Sequence, residues 1–200
     1  IAPRFADGGT VLYFTLRSPG GQADIYRSRL DHGAWQTAEP VTSLNSSSDD
    51  IGAIPSADGR QLFLYSNPPG GAGGFDVYVS PWNGSDWNLP VNAGPPINST
   101  ADEYDPAIAP DGRSLYFASN RATGGDENVA PTDKWSGTLR HRESSTFDLY
   151  VASRNDADSP WRAAAAFDAV NRPDSNEGAP FVSPNGAFLY FASDRTVRSG

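Results

Sequence analysis

Four apolar runs with the same lead-in dominate the pattern of this chain. They are Val11 to Thr15, Gln61 to Ser66, Ser114 to Ser119 and Ala187 to Ser193, and each follows Asp-Gly or Asn-Gly at Asp7, Asp58, Asp111 and Asn185. Asp-Gly or Asn-Gly between apolar runs predicts a tight hairpin turn, because glycine accepts a positive φ and Asp or Asn tolerates it. The runs are almost continuously apolar and aromatic, which predicts strands buried on both faces. A third strand is expected at Asp24-Ile25-Tyr26, Phe75 to Val79 and Phe147 to Val151, followed by a turn leading to Trp35, Trp87 or Trp161. No helical period of useful length is present.

Each unit therefore reads strand, turn, strand, loop, strand, turn, strand. The turn residues lie 51, 53 and 74 apart, a period that marks an array of equivalent units. Four antiparallel strands repeated radially make a propeller blade. The fold class expected is all-β: a beta-propeller of four-stranded antiparallel blades with about three and a half blades present. The expected blades are 1–50, 51–103, 104–177 and an incomplete 178–200. An insertion at 122–145 accounts for the longest spacing. The incomplete last blade would leave an edge open to association.

The run Pro106 to Arg121 (Pro-Ala-Ile-Ala-Pro-Asp-Gly-Arg-Ser-Leu-Tyr-Phe-Ala-Ser-Asn-Arg), followed by Phe147-Asp148-Leu149-Tyr150, resembles the TolB-like, WD-repeat-like bacterial beta-propeller repeats. The linker with Trp87, Pro90, Ile97-Asn98 and Asp102-Glu103 is similar to the variant found beside OmpA-like domains. The first two blades depart from the Asn-Arg pattern, with Leu16-Arg17 and Asn67-Pro68. The resemblance implies a larger, six-bladed parent ring and a periplasmic or extracellular place in the bacterial envelope. It does not select a function, because one fold hosts many.

Composition narrows the classes. A net charge of −9 disfavours nucleic acid and anionic membranes, which want basic surface. No apolar run approaches the roughly 20 residues of a membrane span. With no Cys, disulfide and thiolate chemistry are excluded, which fits either periplasm or cytoplasm. Two isolated His residues cannot alone supply a zinc site. No cofactor is implied, and a metal is left open.

Candidate binding residues recur by blade. Asp50, Glu103 and Glu177 sit at one point of the unit, and the position ten after each turn residue holds Arg17, Pro68, Arg121 and Arg195. The carboxylates either form a ring near the propeller axis able to hold a cation or basic peptide, or support their blades by accepting hydrogen bonds from blade backbone or pairing with Arg17, Arg121 or Arg195. Asn45, Asn98 and Asn171 precede them at nearly fixed distance. Asp24, Asp76 and Asp148 are expected to bond the adjoining turns. Trp35, Trp87 and Trp161 are expected to pack between blades with the indole N–H satisfied. Trp135, beside Lys134, Arg140, His141 and Arg142, is either a binding element or part of a loop folded on its own blade. Gly70 to Gly74 lacks the Lys and helix of a phosphate cradle, so a flexible connection is expected.

No catalytic constellation stands out. The reading that follows is a non-catalytic binding or scaffold module contacting a protein or cell-wall glycan partner through its loops. The alternatives are a carbohydrate-acting hydrolase or lyase, or the gating propeller of a peptidase. Asp102 and Glu103 are adjacent and point to opposite faces of a strand, so an acid–base pair would have to come from different blades.

Overall fold

The computed structural model describes residues 3–17, 21–121 and 147–196. The insertion 122–145, with Trp135 and His141, lies outside the described residues. Four antiparallel sheets follow one another along the chain. The first blade holds β1 (Arg4–Ala6), β2 (Val11–Arg17), β3 (Ala23–Asp31), β4 (Ala34–Trp35) and β5 (Glu39–Pro40). The second holds β6 (Asp50–Pro55), β7 (Gln61–Ser66), β8 (Asp76–Pro81) and β9 (Val91–Asn92). The third holds β10 (Glu103–Ile108), β11 (Ser114–Ser119), β12 (Asp148–Ser153) and β13 (Ala165–Ala166), and the fourth pairs β14 (Glu177–Val182) with β15 (Leu189–Ser193). This is the expected propeller of antiparallel blades: among the described residues the second and third sheets have four strands, the first gains a fifth through the short β4, and the last has two.

Register repeats with the sequence. Phe14 opposes Tyr26, Leu64 opposes Tyr78, and Phe117 opposes Tyr150. The outermost strands meet these same tyrosines at Pro40, Asn92 and Ala166. The turns differ in detail from the two-residue hairpin that Asp-Gly suggests. Ser56 N–H bonds Gln61 O and Gly59 N–H bonds Ser56 O, each near 2.8–2.9 Å. Only Gly59 there takes a positive φ, of 67°. The side chain of Asp58 turns back to accept from Ser56 Oγ at 2.6 Å and Arg60 N–H at 3.1 Å. Asp58 thus shapes a wider turn through its carboxylate, and the following glycine supplies the left-handed step.

The first strand of each later blade carries a bulge. Register slips between Ile51 and Ile54, Tyr104 and Ala107, and Gly178 and Phe181. The residue inside each slip has positive φ: Gly52 at 69°, Asp105 at 51° and Ala179 at 48°. The bulge sharpens the twist of the innermost strand.

The core lies between blades. Val11, Tyr13, Ile25 and Leu44 of the first blade meet Leu62, Leu64 and Trp87 of the second. Phe63 and Val77 meet Leu115 and Phe117 of the third. Tyr104 is fully buried, edge-on to Tyr65 and to Phe147 with ring centroids 5.3 Å apart in both cases. Burying one such side chain is worth about 1.5–3 kcal/mol.

Candidate functional site

The recurring polar residues gather at one end of the blades, where first strands begin and second strands finish. Asp49, Asp102 and Asn176 each accept the N–H of the residue opening the third strand of the preceding blade: Ala23, Phe75 and Phe147, all at 2.8 Å. Their own backbone N–H groups donate to Asn67, Asn120 and Asp194 in the second strand-to-loop step of their own blade. Asn45, Asn98 and Asn171 each bond both backbone groups of a third-strand residue, Ile25, Val77 and Leu149. Side chains here stand in for a missing strand of backbone, which leaves buried peptide groups satisfied.

Asp50, Glu103 and Glu177 are covered by protein. Ser66 Oγ donates to Asp50 at 2.6 Å, Ser119 Oγ to Glu103 at 3.0 Å, and Ser193 Oγ to Glu177 at 2.7 Å. A second donor comes from the preceding linker: the N–H of Ser46, Ser99 and Arg172, respectively. These serines close each second strand two positions before the Arg or Pro of the repeat, a column that sequence reasoning passed over. Its signal is plain in the aligned copies, which end Tyr-Ser-Asn, Ala-Ser-Asn and Ala-Ser-Asp.

Arg121 Nη2 donates to Glu103 at 2.9 Å and also to the Ile97 carbonyl. Its guanidinium lies over Tyr150 and Phe117, 4.6 and 5.2 Å from their centroids. Arg195 repeats this with Glu177 at 3.0 Å, Val170 O at 2.7 Å and the Phe191 ring at 5.3 Å. The structure therefore brings Glu103 to Arg121 and Glu177 to Arg195, and leaves Asp50 with hydroxyl and amide donors but no arginine among the described residues. Burial is the main influence on Asp50 and raises its pKa, with Asp24 adding to the rise. Burial also raises Glu103, despite the donors and Arg121. For Glu177 burial pulls upward too, but hydrogen bonds from Ser193, Ser175, Arg172 and Arg195 outweigh it, and the pKa falls.

Asp76 is buried and accepts from Ala72 and Gly73 N–H and from Asn92 Nδ2. The glycine loop before it is not the loose connection expected. A Cβ at Gly73 would overlap the Ala101 carbonyl oxygen, and one at Gly74 would overlap the Asp102 carboxylate. The glycines allow this loop to lie flat on the next linker. Trp87 is buried and donates its indole N–H to Tyr13 Oη at 2.9 Å. Trp161 packs on Phe63 and under Arg154. Trp35 departs from the pair: it is 44% exposed and meets Phe5 of its own blade.

The first strands of neighbouring blades contact one another. At their turn end Arg4, Ile54, Pro55, Ile108, Phe181 and Val182 are among the residues lining a half-open apolar cavity of about 420 Å³. No group of three or more metal-ligating side chains occurs among the described residues. No described helix is long and apolar enough to cross a membrane.

The sequence matches no family model and no curated protein. Solved structures match over nearly the whole chain. A putative TolB from Agrobacterium tumefaciens superposes with a TM-score of 0.58 at 16% identity, covering 96% of this chain and 57% of that one. The fold is the TolB-type beta-propeller. TolB from Acinetobacter baumannii gives 0.54 at 17% identity over 94% of this chain and 36% of its own. An alpha-L-arabinofuranosidase from Lactobacillus brevis gives 0.55 at 12% identity over 94% and 62%. The chain thus spans less than two thirds of each of these proteins.

Proposed function

We propose that the chain is a non-catalytic propeller that binds a protein or cell-wall partner in the bacterial envelope. The observation that carries this reading is the use made of the recurrent acids. Asp50, Glu103 and Glu177 each spend their oxygens on serine and backbone amide donors of the same propeller, and Glu103 and Glu177 on an arginine as well. A general acid or nucleophile needs a carboxylate that reaches a substrate. These carboxylates hold blades in shape, and the rigid blades then present loops. Contact is assigned to the loops at the carboxylate end, including the insertion 122–145 with Trp135, flanked by the Arg121 step. The TolB likeness supports an envelope setting.

The test pairs binding with turnover. The chain is sedimented with purified peptidoglycan and titrated against envelope proteins, and it is also incubated with aryl glycosides and peptide amides. Retention or a saturable protein complex without product is expected, weakened when 122–145 is replaced by a short Gly-Ser link. Steady product release, abolished by Glu103→Gln or Glu177→Gln in a folded variant, overturns it.

A further inference from the structure

A cleft of about 740 Å³ opens at the turn end, between the first and second blades. Its volume is within the range of small-molecule sites, roughly 300–1,000 Å³. Phe5, Asp7, Arg29, Asp58, Trp82 and Trp87 contribute to its walls. Trp87 is the fixed element, buried and bonded to Tyr13. Trp82 stands edge-on against it, centroids 5.0 Å apart at 70°. The two also form a backbone bridge, and Trp82 N–H bonds Arg60 O at 2.9 Å. Trp82 is therefore a held ring, yet 38% of it faces solvent.

The polar groups around this ring have capacity to spare. Asp58 uses Oδ1 for its turn, and its Oδ2 makes no hydrogen bond among the described residues. Asp7 accepts from Thr10 Oγ1 on Oδ2 at 3.2 Å, and its Oδ1 makes no hydrogen bond among the described residues. The Arg29 guanidinium forms no hydrogen bond or ion pair with a described residue and acts on Asp86 only through its charge, whereas that of Arg27, two positions earlier, is held by both Glu39 and Asp86 at 2.8 Å. The backbone beside them is bare: a Cβ at Gly8, Gly9 or Gly59 would meet nothing within 4 Å.

An aromatic face, two open carboxylate oxygens and an open guanidinium select a ligand with both hydroxyl donors and acceptors around an apolar ring face. A cationic side chain would meet Arg29, and an anion would meet Asp7 and Asp58. We propose that this cleft binds an uncharged pyranoside, one sugar ring lying on Trp82 with its hydroxyls shared between Arg29 and the two aspartates. The assignment rests on the binding-module reading and gives it a place and a ligand class.

The experiment titrates the chain with chitotetraose and with cellotetraose, reading tryptophan fluorescence and calorimetric heat. Wild type, Trp82→Ala and Arg29→Ala are compared, with thermal midpoints measured alongside. The Arg29 side chain is exposed and makes no hydrogen bond or ion pair with a described residue, and an alanine keeps the backbone bonds of its strand, so this variant tests the site with little effect on the fold. Saturable binding by wild type is expected, weakened about tenfold or more in Trp82→Ala and several-fold in Arg29→Ala. Failure of wild type to bind either sugar overturns the proposal, as does equal affinity in folded variants. Displacement of the fluorescence signal by a Lys/Arg-rich peptide alone also overturns it. Sugar binding unaffected by either variant would sink the cleft while leaving the binding-module reading standing. Release of shortened sugars, lost with Trp82, would keep the cleft and sink that reading instead.

Discussion

Blades two and three build the same carboxylate socket from different parts. In blade three, Glu103 accepts from Ser119 Oγ, Ser99 N–H and Ser99 Oγ, and Arg121 closes the socket by spanning Glu103 and the Ile97 carbonyl. In blade two the acid is one methylene shorter, and Pro68 occupies the arginine position. Asp50 keeps the serine and linker N–H donors and nothing cationic. Both blades fold into the same four-stranded sheet. The neutral donors are thus sufficient for the geometry, and the arginine is an added charge match over a buried acid. Where it is missing, only the serine and amide donors offset the acid's burial, which still raises its pKa. Blade four, with Glu177 and Arg195, repeats blade three at the chain's two-stranded sheet.

The largest effect that would break this comparison is Glu103→Ala. It strands the Arg121 guanidinium, whose side chain is 19% exposed, and leaves two serines without their acceptor. Removing one partner of a buried, bonded charge pair costs about 3 kcal/mol or more, so a clear drop in the urea midpoint with an unchanged slope is expected. An unchanged midpoint would mean that the socket contributes nothing to blade three. Arg121→Ala should cost less, about 2 kcal/mol, because the serine and amide donors that suffice for Asp50 remain. Its pH dependence carries the signature. Glu103 already titrates above its ordinary value, and losing Arg121 raises it further. A folded-state pKa above the unfolded one favours the fold when the group is protonated, so the variant regains stability as pH falls through the raised pKa. The gap to wild type should be widest at neutral pH and narrow toward pH 4, as followed by urea titrations across that interval.

Asp50→Asn probes the other member. The folded carboxyl is raised by burial, so wild type gains stability on acidification and loses it as pH climbs through that raised value. An amide keeps an acceptor for Ser46 N–H and a donor toward Ser66 Oγ without the charge. The variant should match or exceed wild type at neutral pH by up to about 1 kcal/mol, with the advantage gone in acid. A loss at neutral pH would show that the ionised form of Asp50 is required in blade two.

Much of this was legible in the chain. The Asp-Gly lead-ins and apolar runs marked the blades because turn chemistry is local, but burial on both faces holds for the runs of the two central blades and not for Leu189–Ser193, where Tyr190 is exposed. The columns Asn45-Asn98-Asn171 and Asp50-Glu103-Glu177 were visible as repeats. Arg121 and Arg195 were also legible as partners for Glu103 and Glu177, but the uncharged partners Ile25, Val77, Ser66 and Ser119 were not, because they meet these columns across 16 to 21 residues. The bulges at Gly52, Asp105 and Ala179 escaped as well, since two of the three carry residues that rarely take a positive φ. Trp35, Trp87 and Trp161 share a sequence position, yet only a neighbouring blade's face decides which of them is buried. The cleft at Trp82 needed two blades in register before its open groups could be seen together.

The smallest expected effect sharpens the comparison by converting one blade into the other. Asp50→Glu with Pro68→Arg writes the blade-three pair into blade two. Leu64 and Tyr78 oppose one another where Phe117 and Tyr150 do, so the new guanidinium would find one aromatic face in place of two. The added ion pair is partly solvated and must order a long side chain, which limits the gain to about 0.5–1 kcal/mol. The longer acid must also fit beneath Ser66 without displacing Ser46 N–H. Asp50→Glu alone should therefore lose stability through crowding and desolvation, and Pro68→Arg alone should change it little, because the shorter Asp50 does not reach the new guanidinium. A double-mutant cycle at pH 7, repeated at pH 4, separates these terms. A coupling energy of the stated size at neutral pH that fades in acid marks a real charge match. Strict additivity at both pH values would mean that blade three's arginine acts through Ile97 O and its aromatic stack, with Glu103 a bystander.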